Sequence, residues 1–133
     1  MKKSTREWLR KGEADYRAAQ KLSGGSDPLH DQTCFLCQQC AEKNLKALLE
    51  ELGLTIPRTH VLKDLLTLLR SHHPSLTSLY RGLTFLTRFA VGTRYPGENA
   101  SKRQAQAALR WAERVRIDCR ALLGIRPQRR RKK

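Results

Sequence analysis

A chain of 133 residues that is 39% hydrophobic and 29% charged has room for one domain with a modest core, and is too apolar to be a disordered polymer. No apolar run approaches the roughly 18 residues that would span a bilayer, so no membrane association is expected. Met1-Lys2-Lys3 resembles the opening of a signal peptide but lacks a following apolar stretch, and the expected compartment is the cytoplasm. The net charge of +15 favours anionic partners, nucleic acid above all. Six of the 27 basic residues fall in the last eight positions, and without them the chain still carries +9, so the body is basic in its own right. The sequence divides into a helical domain over residues 1–124 and a basic tail over 125–133, whose like charges repel and bury nothing.

In chain order, the first predicted helix runs from Thr5 to Leu22. It places Trp8, Leu9, Gly12, Tyr16, Ala19 and Leu22 on one face, with Asp15 at its edge. The run Ser23-Gly24-Gly25-Ser26-Asp27-Pro28 stops it. A second helix, Gln32 to Leu52, buries a stripe of Cys37, Ala41, Leu45, Leu48, Leu49 and Leu52, and Gly53 ends it. Ile56-Pro57 leads to a third helix, His60 to Arg70, with Thr59 as the expected N-cap. Pro74 and Ser75 open a fourth, which carries Leu76, Leu79, Leu83, Phe85, Leu86 and Phe89 and ends before Gly92. The last spans Ser101 to Leu123, with Gly124 closing it. Nothing alternates with period two for long enough to make a strand. The fold class is therefore all-α, an antiparallel bundle of four to five helices. Its leucine-rich faces exceed what one small monomer hides, which favours a homodimer.

The chemistry-bearing residues are few. Gln39 and Lys43, Gln38 and Glu42, and Glu42 and Lys46 are each four apart on the second helix and share its sides. One reading is a solvated face supported by Glu-Lys pairs. The other has Lys43 and Lys46 approaching phosphates while Gln39 contacts a base or orients a partner. Arg94-Tyr95-Pro96 forms a turn in which Arg94 either pairs with Asp15 or Glu42 or binds a phosphate or partner, while Tyr95 exposes its hydroxyl. His60 either closes the loop before the third helix or serves as a base. Cys34, Cys37 and Cys40 lie three apart on a helix, and Cys119 is distant. These thiols read as small buried hydrophobes rather than a metal or redox site. No metal, cofactor or P-loop is expected.

These pieces together resemble a HEPN domain, the helical "higher eukaryotes and prokaryotes nucleotide-binding" family. The resemblance covers Trp8 to about Leu123. It is carried by Gln39-Cys40-Ala41-Glu42-Lys43-Asn44-Leu45-Lys46-Ala47-Leu48, by Thr59-His60-Val61-Leu62 and by Arg94-Tyr95-Pro96, with Asp15 at the place of an acidic residue in the first helix. It implies a bundle that commonly dimerises and often associates with a small, separately encoded nucleotidyltransferase, as in toxin-antitoxin-like pairs. Some relatives are metal-independent ribonucleases marked by Arg-x(4–6)-His in a later helix. That motif is absent here, since no histidine follows His73. An atypical site using Arg94 and His60 would be needed for cleavage. The expected function is therefore a non-catalytic partner module. The alternatives are a nucleotide- or RNA-binding module through Gln39, Lys43, Lys46, Arg94 and Tyr95, with Asp15, Glu42 and His60 in support, and, behind it, a ribonuclease.

Overall fold

In the computed structural model, residues 1–93 and 95–126 are described. Five α-helices form: α1 (Lys3–Ser23), α2 (His30–Glu51), α3 (Leu62–Leu69), α4 (Tyr80–Thr87) and α5 (Lys102–Leu122). Tight 3₁₀ turns flank α4, at Pro74–Leu79 before it and Arg88–Ala90 after it. There is no strand among the described residues.

α2 is the axis of the bundle and touches α1, α3, α4 and α5. Its leucines at 45, 48 and 49 are fully buried and meet Leu62, Leu65 and Leu69 of α3, Leu83 and Leu86 of α4, and Ala108, Ala112 and Val115 of α5 in one continuous core. Each such leucine contributes roughly 1.5–3 kcal/mol by leaving water. The end of the predicted α2 stripe is different. Leu52 lies beyond the helix and is exposed, because the bundle does not extend past Glu51.

α1 lies antiparallel to α2 and is pinned at its start, where the Thr5 hydroxyl donates to Glu51 Oε1 at 2.9 Å. Midway the two backbones approach closely: a Cβ on Gly12 would sit 3.0 Å from Asn44 Nδ2 and 3.3 Å from Lys43 Cβ. Glycine is the residue that permits this crossing. α5 lies antiparallel to α1 and shares the direction of α2. Its leading end is tied to the start of α2 by Asp31 Oδ1, which accepts from the Ala100 amide at 2.7 Å. Ser101 caps α5 in a reciprocal capping box with Gln104. Ala105, Ala108 and Ala112 lie on the buried face of α5, where their small side chains let it approach its neighbours closely.

The third and fourth helices depart from the sequence expectation. Thr59 does not cap α3. The helix begins at Leu62, and the Thr59 hydroxyl instead accepts from the Val61 amide in a local turn. The Leu62 amide is satisfied from outside the segment by the Thr87 hydroxyl at 3.1 Å, which in turn donates to the Leu83 carbonyl. The expected single fourth helix is regular only over eight residues, because its ends tighten into i→i+3 turns.

Candidate functional site

The second helix is buried on nearly every side, so its polar motif is not a solvated face. Gln38, Glu42, Asn44 and Lys46 are all buried. The Glu42 carboxylate is the hub. Its Oε1 accepts from Gln38 Nε2 at 3.1 Å and from His60 Nδ1 at 2.8 Å, and its Oε2 accepts from Lys46 Nζ at 3.0 Å. Gln38 also donates to the His60 carbonyl, and Gln39 donates to the Gln38 side-chain oxygen. The Lys46 ammonium lies 5.8 Å from the centre of the Trp8 ring on α1. The cluster therefore joins α1, α2 and the loop that leads to α3.

Burial on its own raises the Glu42 pKa, but hydrogen bonds from His60, Gln38 and Lys46 outweigh it and hold the carboxyl below its ordinary range. The Glu42–Lys46 spacing is the ordinary i,i+4 helix pair. Burial gives it more weight than a surface pair has, because each charge depends on the other once water is excluded.

Lys43, one turn earlier on α2 than Lys46, donates to Asp15 Oδ2 on α1. Both lysines singled out from sequence are thus already engaged inside the bundle, one with Asp15 and one with Glu42. The two carboxylates suggested as partners for Arg94 carry these lysines; Arg94 itself lies outside the described residues. Tyr95 is 65% exposed. Among the predicted site residues, the structure brings Gln39, Glu42, Lys46 and His60 together, holds Lys43 with Asp15, and leaves Tyr95 apart.

His60 has a second aspect. Its side chain is 66% exposed although Nδ1 is held by the buried carboxylate, so the opposite ring nitrogen faces outward. A carboxylate that fixes one imidazole nitrogen is half of a general-base arrangement.

The four cysteines are buried and free. Burial pushes the Cys34 and Cys40 thiols up to about 12 and also raises Cys37 and Cys119, so they stay protonated and inert at neutral pH. Among the described residues, no group of three or more His, Cys, Asp or Glu is placed to hold a metal ion, and no helix is long and apolar enough to cross a membrane.

Two features lay outside the sequence reading. Arg116 of α5 forks onto Glu13 of α1, with Nε to Oε2 at 2.6 Å and Nη2 to Oε1 at 2.8 Å, and its guanidinium covers the Tyr16 ring. Glu13 and Arg116 are more than a hundred positions apart, and no local pattern links them. The second is an apolar hollow of about 490 Å³ where Leu22, Phe35, Leu36, Phe89 and Ala90 converge at the α1–α2 connection. In sequence those residues are scattered over three elements.

Comparison with known proteins agrees with this architecture. A family model described as HEPN domain matches residues 5–122. The crystal structure of an archaeal HEPN homologue superposes with a TM-score of 0.74 at 28% identity, covering 92% of this chain and 99% of that one. The crystal structure of TT1696 from Thermus thermophilus gives 0.78 at 26% identity, covering 88% and 96%. A search of curated proteins finds no match.

Proposed function

This chain belongs to the HEPN domain family, and on that premise we propose that it is a non-catalytic module that binds a partner protein, a small nucleotidyltransferase in a two-component, toxin-antitoxin-like system of the cytoplasm. The observation that carries this reading is the self-satisfaction of the polar motif. Gln38, Glu42, Lys46 and His60 bond to one another and Lys43 bonds to Asp15, so the motif's hydrogen-bonding capacity goes into the fold. Surface is what the molecule offers instead. The hollow is lined by Phe35, Leu36 and Phe89, and Val91, which follows its lining residue Ala90 in the chain, is 55% exposed; an apolar surface of this kind favours association with another chain. A second copy of this chain is one such occupant, in keeping with a homodimer.

The net charge of +15 supports a second reading, in which nucleotide or RNA binds through Lys43, Lys46 and Arg94. It requires the two lysines to leave their carboxylates, which disfavours it. Ribonuclease chemistry stands behind both: the exposed edge of His60 supplies one group, and the Arg-x(4–6)-His pattern is missing from the sequence.

The test is capture of the full chain at moderate salt from its native cell extract, with mass spectrometry of bound protein and quantification of bound nucleic acid. We expect a small nucleotidyltransferase in near-stoichiometric amount. Recovery of RNA with no protein partner would overturn the reading.

A further inference from the structure

We propose that the groove between α1 and α5, on the face formed by Arg6, Arg10 and Arg17, is a docking site for an acidic amphipathic helix of a partner protein. The proposal rests on the partner-module reading and deepens it by naming a second contact surface and its chemistry.

The groove has a volume of about 540 Å³. Arg6, Arg10, Glu13 and Arg17 follow one another at spacings of four, three and four along one face of α1, and Arg120 of α5 stands opposite. Arg6 and Arg17 are exposed and form no ion pair among the described residues. Arg10 has only Glu7, in a pair whose side chains are 74% and 51% exposed, an arrangement worth little and easily exchanged. Glu13 does not cancel this field, since Arg116 already holds both of its oxygens. Leu9, Ala14 and Ile125 line the groove between the guanidiniums and make it apolar.

An apolar channel edged by arginines calls for a ligand with the converse pattern, an apolar stripe flanked by carboxylates. From Arg6 to Arg17 the helix rises about 16 Å, the length of three helical turns, so a partner helix lying alongside would meet the arginines with acids at matching spacings. Charge complementarity argues against a second copy of this +15 chain as the occupant. A single nucleic-acid strand fits less well, because none of the groove's lining residues is aromatic and bases would have nothing to stack on.

The test uses a synthetic 15-residue helical peptide with Glu at positions 1, 5 and 12 to match Arg6, Arg10 and Arg17, Leu at 4, 8, 11 and 15 beside them, and Ala and Gln elsewhere, read by fluorescence anisotropy. Controls are the same peptide with Lys for Glu and a single-stranded oligonucleotide. The wild-type chain should bind the acidic peptide and not the lysine peptide, with affinity falling as salt rises. The variant carrying Arg6→Gln, Arg10→Gln and Arg17→Gln should bind about tenfold more weakly, a loss of about 1.4 kcal/mol. All three side chains are exposed, and an unchanged thermal melt would certify the variant's fold.

Equal binding by wild type and variant, or tighter binding of the oligonucleotide at the same arginines, would overturn the proposal. Should the variant capture the natural partner as fully as the wild type does, this groove is not the docking site, while the partner-module reading survives. Should the peptide bind through these arginines although the extract yields no nucleotidyltransferase, the groove stands and the identity of the partner falls.

Discussion

Replacing Glu42 by alanine is expected to destabilise the fold by about 3 kcal/mol and to lower Tm by roughly 10 °C. The substitution removes a buried carboxylate that receives Gln38, Lys46 and His60, and it leaves the Lys46 ammonium without a counter-charge in a largely buried position. Glu42→Gln should cost less, because an amide oxygen still accepts a hydrogen bond, and it separates charge from shape. The two proteins should also differ in their pH dependence. In the fold the Glu42 carboxyl is held below its ordinary value of 4.5, so in acid the unfolded chain takes up the proton first. The stabilisation is fully present above that value and is lost as pH falls through the lower, folded value. The stability gap between wild type and Glu42→Gln should therefore be constant near neutrality and close as pH drops below 4.5, in urea titrations followed by circular dichroism. A gap that stays constant through this window would mean that the Glu42 charge contributes nothing to stability.

Gly82→Ala should destabilise by about 2 kcal/mol, even though alanine is the better helix former. Gly82 is buried on α4, and a Cβ there would lie 2.1 Å from Cε3 of Trp111 and 2.2 Å from its Cδ2, within the ring system of α5. No side-chain rotation at alanine relieves this, so the indole or the helix must move. The sign test is the double variant. With Trp111→Leu in place, the same Gly82→Ala change should become neutral or mildly stabilising, because the obstacle is gone. A Gly82→Ala penalty of equal size in both backgrounds would show that the glycine is needed for its backbone and not for the close approach.

The contrast between these two sites shows what was legible in the sequence. Helical periodicity identified α1, α2 and α5 within two residues at each end, and Ser101 and Gly124 marked the last helix in advance. The all-α bundle followed from those patterns. What periodicity cannot say is whether the second side of an amphipathic helix is covered. The Gln38–Glu42–Lys46 row has the spacing of a solvated ladder, yet it is buried because α1 and the loop at His60 close over it. Thr59 carries a good capping side chain but spends it on the Val61 amide, while the cap for Leu62 comes from Thr87, 25 residues away. The Glu13–Arg116 fork and the α1–α5 groove depend on tertiary neighbours, for which a single sequence holds no signal. The expectations for Arg94, and for the tail from residue 127 onward, fall outside the described residues.

The central claim is that the α2 polar motif is committed to the fold. A double-mutant cycle on Glu42 and Lys46, using Glu42→Gln and Lys46→Met with urea unfolding at pH 7, tests it most directly. The account predicts that the two losses are strongly non-additive, with a coupling energy of about 1–2 kcal/mol, because each charge owes its contribution to the other. Additive losses, with Lys46→Met leaving stability unchanged, would contradict it and return the lysine to the surface as a group free to meet a ligand.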